Sequence, residues 1–216
     1  MDSIVTQTNG KVSRVGAVIL AGGLARRMGG VDKGLVQLAG KPMAQWVVER
    51  VTPQVSQLII NANRNEQTYA EIASPVVGDT MQGNLGPLAG LYTALEHFAD
   101  GVDSVFMCPC DSPFVPFDMV ERMHDARSSK DATVAVASDG QRLQPVFLLV
   151  KSSVMASLAD FLKSGERKID RWFDRETVAE VDFSDHADAF LNINTEEERT
   201  RIEQDLNQVP ERGRRH

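Results

Sequence analysis

The chain has 216 residues, 23 Lys and Arg against 30 Asp and Glu, and a formal net charge of −7. An acidic chain has no global field to gather polyanions, which excludes a non-specific nucleic-acid binder, and no apolar run approaches the roughly 20 residues that span a bilayer. The two cysteines, Cys108 and Cys110, are too close together for an unstrained disulfide and too few for a structural zinc site, so they read as reduced residues at a strand end.

The N-terminal stretch, residues 1–14, is polar and lacks the apolar core of a signal peptide. It is expected to be flexible, and a cytoplasmic location is the default. One α/β domain is expected over 15–207, followed by a flexible charged tail, 208–216. Ala17 to Leu20 reads as a buried strand that stops at Ala21-Gly22-Gly23. Met43 to Val51, after Lys41-Pro42, is a predicted helix. Leu58 to Ile60 is a short strand ending at Asn61, and Tyr69 to Ala73 a short helix. Pro75 to Val77 is a strand that stops at Gly78-Asp79. A loop from Met81 to Pro87 leads into a helix over Leu88 to Phe98.

Ser104 to Met107 is the next strand, ending at Cys108-Pro109-Cys110-Asp111. Phe117 to Ala126 is a predicted helix; Ala132 to Ala137 and Val146 to Val150 are strands. Helices follow over Ser153 to Leu162 and Glu166 to Asp174, then an edge strand over Val178 to Phe183. The last helix, Thr195 to Leu206, opens on Thr195 with Glu198 three residues on, a capping-box signature. This alternation predicts three layers: a mostly parallel sheet, Rossmann-like, with helices on both faces. Ligands in such sheets bind beyond the carboxyl ends of the strands. That rule gathers the segment from Leu20 to Lys33 with Asn61, Asp79 and Asp111.

The segment from Gly16 to Lys33, GAVILAGGLARRMGGVDK, is a strand, a glycine loop and then cations. Glycines let backbone N–H groups approach a ligand, and successive N–H groups make a concave anion site. Arg26, Arg27 and Lys33 add full positive charge, which suits a polyphosphate. The Walker A lysine and its Ser/Thr are absent, and so is G-x-G-x-x-G. Asp111, just after a strand, suits a hard divalent cation such as Mg²⁺; the alternative is a helix N-cap or turn aspartate before Pro113 and Pro116.

The string from Leu20 to Leu35, LAGGLARRMGGVDKGL, resembles the molybdenum cofactor guanylyltransferase (MobA) family of nucleotidyltransferases. P-C-D-x-P around Asp111, GPLAG from Gly86 to Gly90, and N-x-N-T from Asn192 to Thr195 match the family's order of motifs. The resemblance implies a nucleotidyltransferase fold and transfer of GMP from GTP to the phosphate of molybdopterin-bound molybdenum cofactor, with release of pyrophosphate. It implies a GTP site of Leu20, Ala21, Gly22, Gly23, Lys33, Asn61, Asp79 and Asp111. Asp111 would be the Mg²⁺ ligand, and Arg27 and Lys33 would stabilise charge on the leaving pyrophosphate. Asn192 and Asn194 would hold the acceptor, although an Asx turn before the last helix accounts for them equally well. Gln144-Pro145 stands where a family member can have His-Pro. Cofactor-delivery proteins or molybdoenzymes are the partners to expect, with no nucleic acid and no membrane. A CTP-using sibling, a sugar-phosphate acceptor and a non-catalytic GTP-binding module remain alternatives at this point.

Overall fold

The apolar run at the start of the chain is a strand buried on both faces, which is why it reads as continuous rather than alternating. The computed structural model describes residues 7–8, 11–12, 14–22, 24–25, 31–81, 83, 86–191, 193 and 195–208. Seven strands make the main sheet: β1 (Val15–Leu20), β2 (Gln57–Asn61), β3 (Val76–Val77), β4 (Ser104–Pro109), β5 (Val134–Ser138), β6 (Leu143–Lys151) and β7 (Val178–Asp182). Their order across the sheet is β7-β5-β6-β4-β1-β2-β3. β6 runs antiparallel to both neighbours, and every other pair is parallel. The expectation of a mostly parallel sheet holds, with β7 at the edge.

Alternate residues of each strand feed two cores. Ala17 and Ile19 of β1, Phe106 and Cys108 of β4, and Phe147 and Leu149 of β6 face one layer. That layer holds α1 (Met43–Val51), α2 (Glu66–Ala70) and α4 (Met119–Ser129) through Val47, Tyr69 and Met123. Val18, Met107 and Leu148 face the other layer. There α3 (Pro87–Phe98), α5 (Met155–Lys163) and α6 (Ile169–Phe173) contribute Leu91, Phe161 and Trp172. Each fully buried side chain of this size contributes about 1.5–3 kcal/mol, so the two faces supply most of the stability. A smaller cluster joins Val36, Leu38 and Met43 to Ile193 and to Ile202 of α7 (Glu196–Gln208).

Several boundaries move from their predicted places. α2 begins at Glu66 because Asn65 turns the chain through the left-handed region at φ 53°. α4 starts two residues late, since the Met119 N–H still bonds back to the Pro116 carbonyl in a turn. α6 is shorter than predicted because Lys168 stays extended. The capping box at Thr195 is present: the Glu198 N–H donates to Thr195 Oγ1 at 3.2 Å, and the Thr195 N–H to Glu198 Oε2 at 3.1 Å. A hairpin over 37–42, turning at Ala39 and Gly40, was not anticipated. The segments expected to be flexible, 1–14 and 208–216, fall largely outside the described residues; within the first, Gln7–Thr8 pairs with Lys11–Val12.

Candidate active site

The carboxyl ends of three adjacent strands set the site. Leu20 lies in register with Asn61 on one side and Pro109 on the other. The pairing runs one step further: the Ala21 N–H donates to the Asn61 carbonyl at 2.8 Å, and the Cys110 N–H to the Leu20 carbonyl at 3.0 Å. Gly22 and Asp111 therefore leave the sheet at the same level. Above them opens a cleft of about 350 Å³, lined by Leu20, Gly22, Lys33, Asn61, Asp79 and Asp111 among others. That is within the usual range for a small-molecule site.

At one end of the cleft Asp79 is held from two sides. The Asn61 amide donates to Asp79 Oδ1 at 3.0 Å and to the Val77 carbonyl at 3.1 Å. The Asn63 amide donates to Asp79 Oδ2 at 2.8 Å, while its own Oδ1 accepts the Asp79 N–H at 2.7 Å. Each carboxylate oxygen keeps a lone pair for a ligand N–H or hydroxyl. Gly90 of α3 leaves room for this network: a Cβ there would lie 2.5 Å from Asn61 Oδ1 and would strike Leu20 Cδ2. The cleft wall continues through Gly86 and Pro87.

At the other end Lys33 Nζ donates to Asp111 Oδ2 at 3.0 Å. Both side chains are partly shielded, so salt screens this pair less than an exposed one. Lys33 opens a short 3₁₀ turn, Lys33–Leu35. Gly34 rests on the buried Tyr69 and Cys110; a Cβ on it would sit 2.7 Å from Tyr69 Oη and 2.8 Å from Cys110 Sγ. Burial first, then the negative groups nearby, pushes the Tyr69 phenol and the Cys110 thiol well up. Both are neutral packing groups rather than nucleophiles. Cys108 is likewise buried, and both thiols are free.

Among the described residues no three His, Cys, Asp or Glu side chains converge on a metal position. Asp111 is a single carboxylate next to a cation in a cleft. This donor set fits Mg²⁺, which keeps several waters and takes much of its coordination from substrate phosphates.

Of the predicted residues, Leu20, Gly22, Lys33, Asn61, Asp79 and Asp111 share the cleft. Ala21 lies behind its wall, buried, with its N–H already bonded to Asn61. Gly23, Arg26, Arg27, Asn192 and Asn194 lie outside the described residues. Gln144 is spoken for by Asp139, whose Oδ2 accepts from Nε2 at 2.7 Å. Sequence reasoning missed Asn63 and Val146, which line the cleft. Asn63 had a signal: it stands two residues past Asn61 at a strand end, on the same face. Val146 had none, because it sits in a register shift of β6, where Val136 faces Leu148 but Ala137 faces Gln144.

Comparison with known proteins agrees with this geometry. The model of the MobA-like NTP transferase domain matches residues 17–181. A molybdenum cofactor guanylyltransferase of Shewanella sp. (strain MR-4) is 49% identical over 195 residues, covering 90% of this chain and 98% of that protein. The protein of that name from Shewanella baltica is 47% identical, over 90% and 98%. In fold, the chain is similar to molybdopterin-guanine dinucleotide biosynthesis protein A of Archaeoglobus fulgidus, with TM-score 0.73 and 24% identity over 90% of this chain and all of the other. A nucleotidyl transferase from Methanothermobacter gives 0.69 at 20% identity, over 91% and 99%. No helix among the described residues is long and apolar enough to cross a membrane. The chain belongs to the MobA-like nucleotidyltransferases, the family of the molybdenum cofactor guanylyltransferases, and is an enzyme of that class.

Proposed function

We propose that the enzyme transfers GMP from GTP to the phosphate of molybdopterin-bound molybdenum cofactor. The acceptor phosphate oxygen attacks the α-phosphorus in line, the bond to the β-phosphate oxygen breaks, and pyrophosphate leaves. The acceptor is already an anion, so no side-chain nucleophile is required. The observation that carries the reading is the pairing, in one cleft, of an amide–carboxylate network with a Lys33–Asp111 pair. The first suits the N–H edge of guanine or a ribose hydroxyl. The second suits a metal-bound triphosphate.

Asp111 would hold Mg²⁺, which when bound supplies positive charge to the phosphate oxygens. Lys33 meets the charge that builds on the departing pyrophosphate. Asn61 and Asn63 fix the Asp79 carboxylate before substrate arrives, so little reorganisation is needed on binding. Arg27 would join Lys33 on the phosphates, and Asn192 and Asn194 would take the pterin. Molybdoenzymes or cofactor-delivery proteins are the proposed recipients or donors of the acceptor, and the cytoplasm the proposed location.

The test is an assay of GTP, molybdopterin cofactor and Mg²⁺, read by mass for a pterin carrying an added GMP, with equimolar pyrophosphate. Calorimetric titration of GTP and CTP accompanies it. Product formation with GTP preferred supports the reading. Equal binding of CTP would move the chain to a cytosine-using sibling, and turnover with a sugar 1-phosphate alone would refute the acceptor.

A further inference from the structure

We propose that Arg64 is a positioning residue for nucleotidyl transfer: its guanidinium ties the Gly22 carbonyl, ahead of the hairpin that precedes Lys33, to Asp32 in that hairpin's second foot, and so sets where Lys33 stands against Asp111. The proposal rests on the reading of Lys33 as the phosphate cation.

The hairpin's feet are Leu24–Ala25 and Val31–Asp32, paired with Leu24 opposite Asp32 and Ala25 opposite Val31. Arg64 comes from elsewhere, the turn between β2 and α2. Its Nε donates to both Asp32 oxygens, at 2.9 and 3.0 Å, and its Nη2 to Asp32 Oδ1 at 2.6 Å. The same Nη2 reaches across to the Gly22 carbonyl at 3.1 Å. Asn65 adds a bond to Asp32 Oδ2 at 2.7 Å. One planar group thus grips the residue that enters the hairpin region and the residue that leaves it. The Asp32 bonds in turn raise the affinity of Arg64 for its proton.

Burial argues that this contact has a job. The Asp32 side chain is 0% exposed, whereas that of Arg64 is 38% exposed. A carboxylate out of water needs a partner of good geometry to be tolerated at all. Asp32 does not line the cleft, so its charge is not there to meet substrate. It is bonded directly to Lys33, and the chain passes from it at ψ 127° straight into the Lys33–Leu35 turn. A shift of the hairpin's second foot therefore moves the lysine. A Lys at position 64 could neutralise Asp32, but it lacks the fork that holds Asp32 and Gly22 at once.

The experiment compares wild type, Arg64→Lys, Lys33→Ala and the double variant. Melting temperature and amide hydrogen exchange of the protein alone are measured alongside pyrophosphate release with GTP, Mg²⁺ and the molybdopterin cofactor. Arg64→Lys keeps the charge on Asp32 compensated, so it is expected to fold and melt near wild type even where Arg64→Ala does not. Peptides covering residues 22–36 should exchange at least about tenfold faster while those of α3 are unchanged. Its kcat should fall by about tenfold through misplacement of the lysine, with KM for GTP changed less than about threefold. The double variant should be no slower than Lys33→Ala, because Arg64 acts through Lys33. Multiplying effects in the double variant would overturn the proposal, as would unchanged exchange in 22–36. A Lys33→Ala enzyme at the wild-type rate, with exchange still accelerated in Arg64→Lys, would instead overturn the reading of Lys33 and with it the catalytic consequence of the clasp.

Discussion

Replacing Gly90 by Ala sets two effects against each other, and the structure decides between them. Gly90 is the fourth residue of a helix of 12 residues. On propensity alone, Gly→Ala inside a helix stabilises by about 1 kcal/mol. The new Cβ, however, would lie 2.5 Å from Asn61 Oδ1. Non-bonded heavy atoms settle at roughly 3.5–4.0 Å, so the Asn61 side chain or the helix must retreat by about 1 Å. Overpacking of this kind costs about 1–3 kcal/mol. If the Asn61 amide swings away, it gives up its bonds to Val77 and Asp79, each worth about 1 kcal/mol. The expected net loss is about 2–4 kcal/mol, a fall in melting temperature of roughly 5–15 °C for a domain of this size. The same displacement releases one oxygen of Asp79, so the Kd for GTP should rise at least about tenfold. Calorimetric unfolding and GTP titration read both quantities. A variant that melts at or above wild type and binds GTP as tightly would refute the argument that α3 packs against the Asn61 amide at its limit.

Further outcomes are open to measurement. Asp111→Ala should abolish Mg²⁺-dependent turnover with little change in melting, since the side chain sits in the cleft and not in the core; normal activity would remove it from the reaction. Tyr69→Phe should raise the melting temperature, because the buried hydroxyl finds no hydrogen-bond partner among the described residues and an unmet polar group costs about 1–3 kcal/mol. A drop of several degrees would reveal a partner. Asp185 pairs with Arg122 of α4 at 2.8 and 3.1 Å, and that bond holds its carboxyl below the usual carboxylate range. A depressed pKa stabilises the fold above the unfolded value, near 3.9, and the effect is lost as pH falls through the folded value. Asp185→Asn should therefore destabilise at pH 7 and match wild type once pH has fallen below the depressed folded-state value; a gap that persists once the carboxyl is protonated in the folded state would contradict the ion pair.

The sequence was most readable where burial is two-sided. Runs such as Val105 to Cys108 are apolar throughout because both faces are covered, and the polar residues that follow them mark the edge of the sheet. Lys33, Asn61, Asp79 and Asp111 were found by that logic together with the resemblance. The contacts that organise those residues were not readable, because they join positions far apart in sequence. Nothing near Asp32 announces that Arg64, 32 residues later, will neutralise it. Nothing near Asn61 says that Gly90 must lack a side chain. The direction of β6 was also hidden. A short apolar strand carries no sign of its polarity; what reverses this one is the tight connection from Ser138 to Leu143, four residues too few for a crossover helix.

That reversed strand lets one half of the molecule vary without the other. A parallel strand offers the cleft only the loop that follows it, and that loop must then cross the sheet through a helix. β6 presents its beginning instead: the exposed turn at residues 139–142 leads into the half of β6 that carries Val146, a cleft-lining residue. That turn belongs to β5 and β6, and β4 and β1 separate β6 from β2, which ends at Asn61. A fold wired this way can alter the β5–β6 side of its sheet without disturbing the network that holds Asp79 on the other.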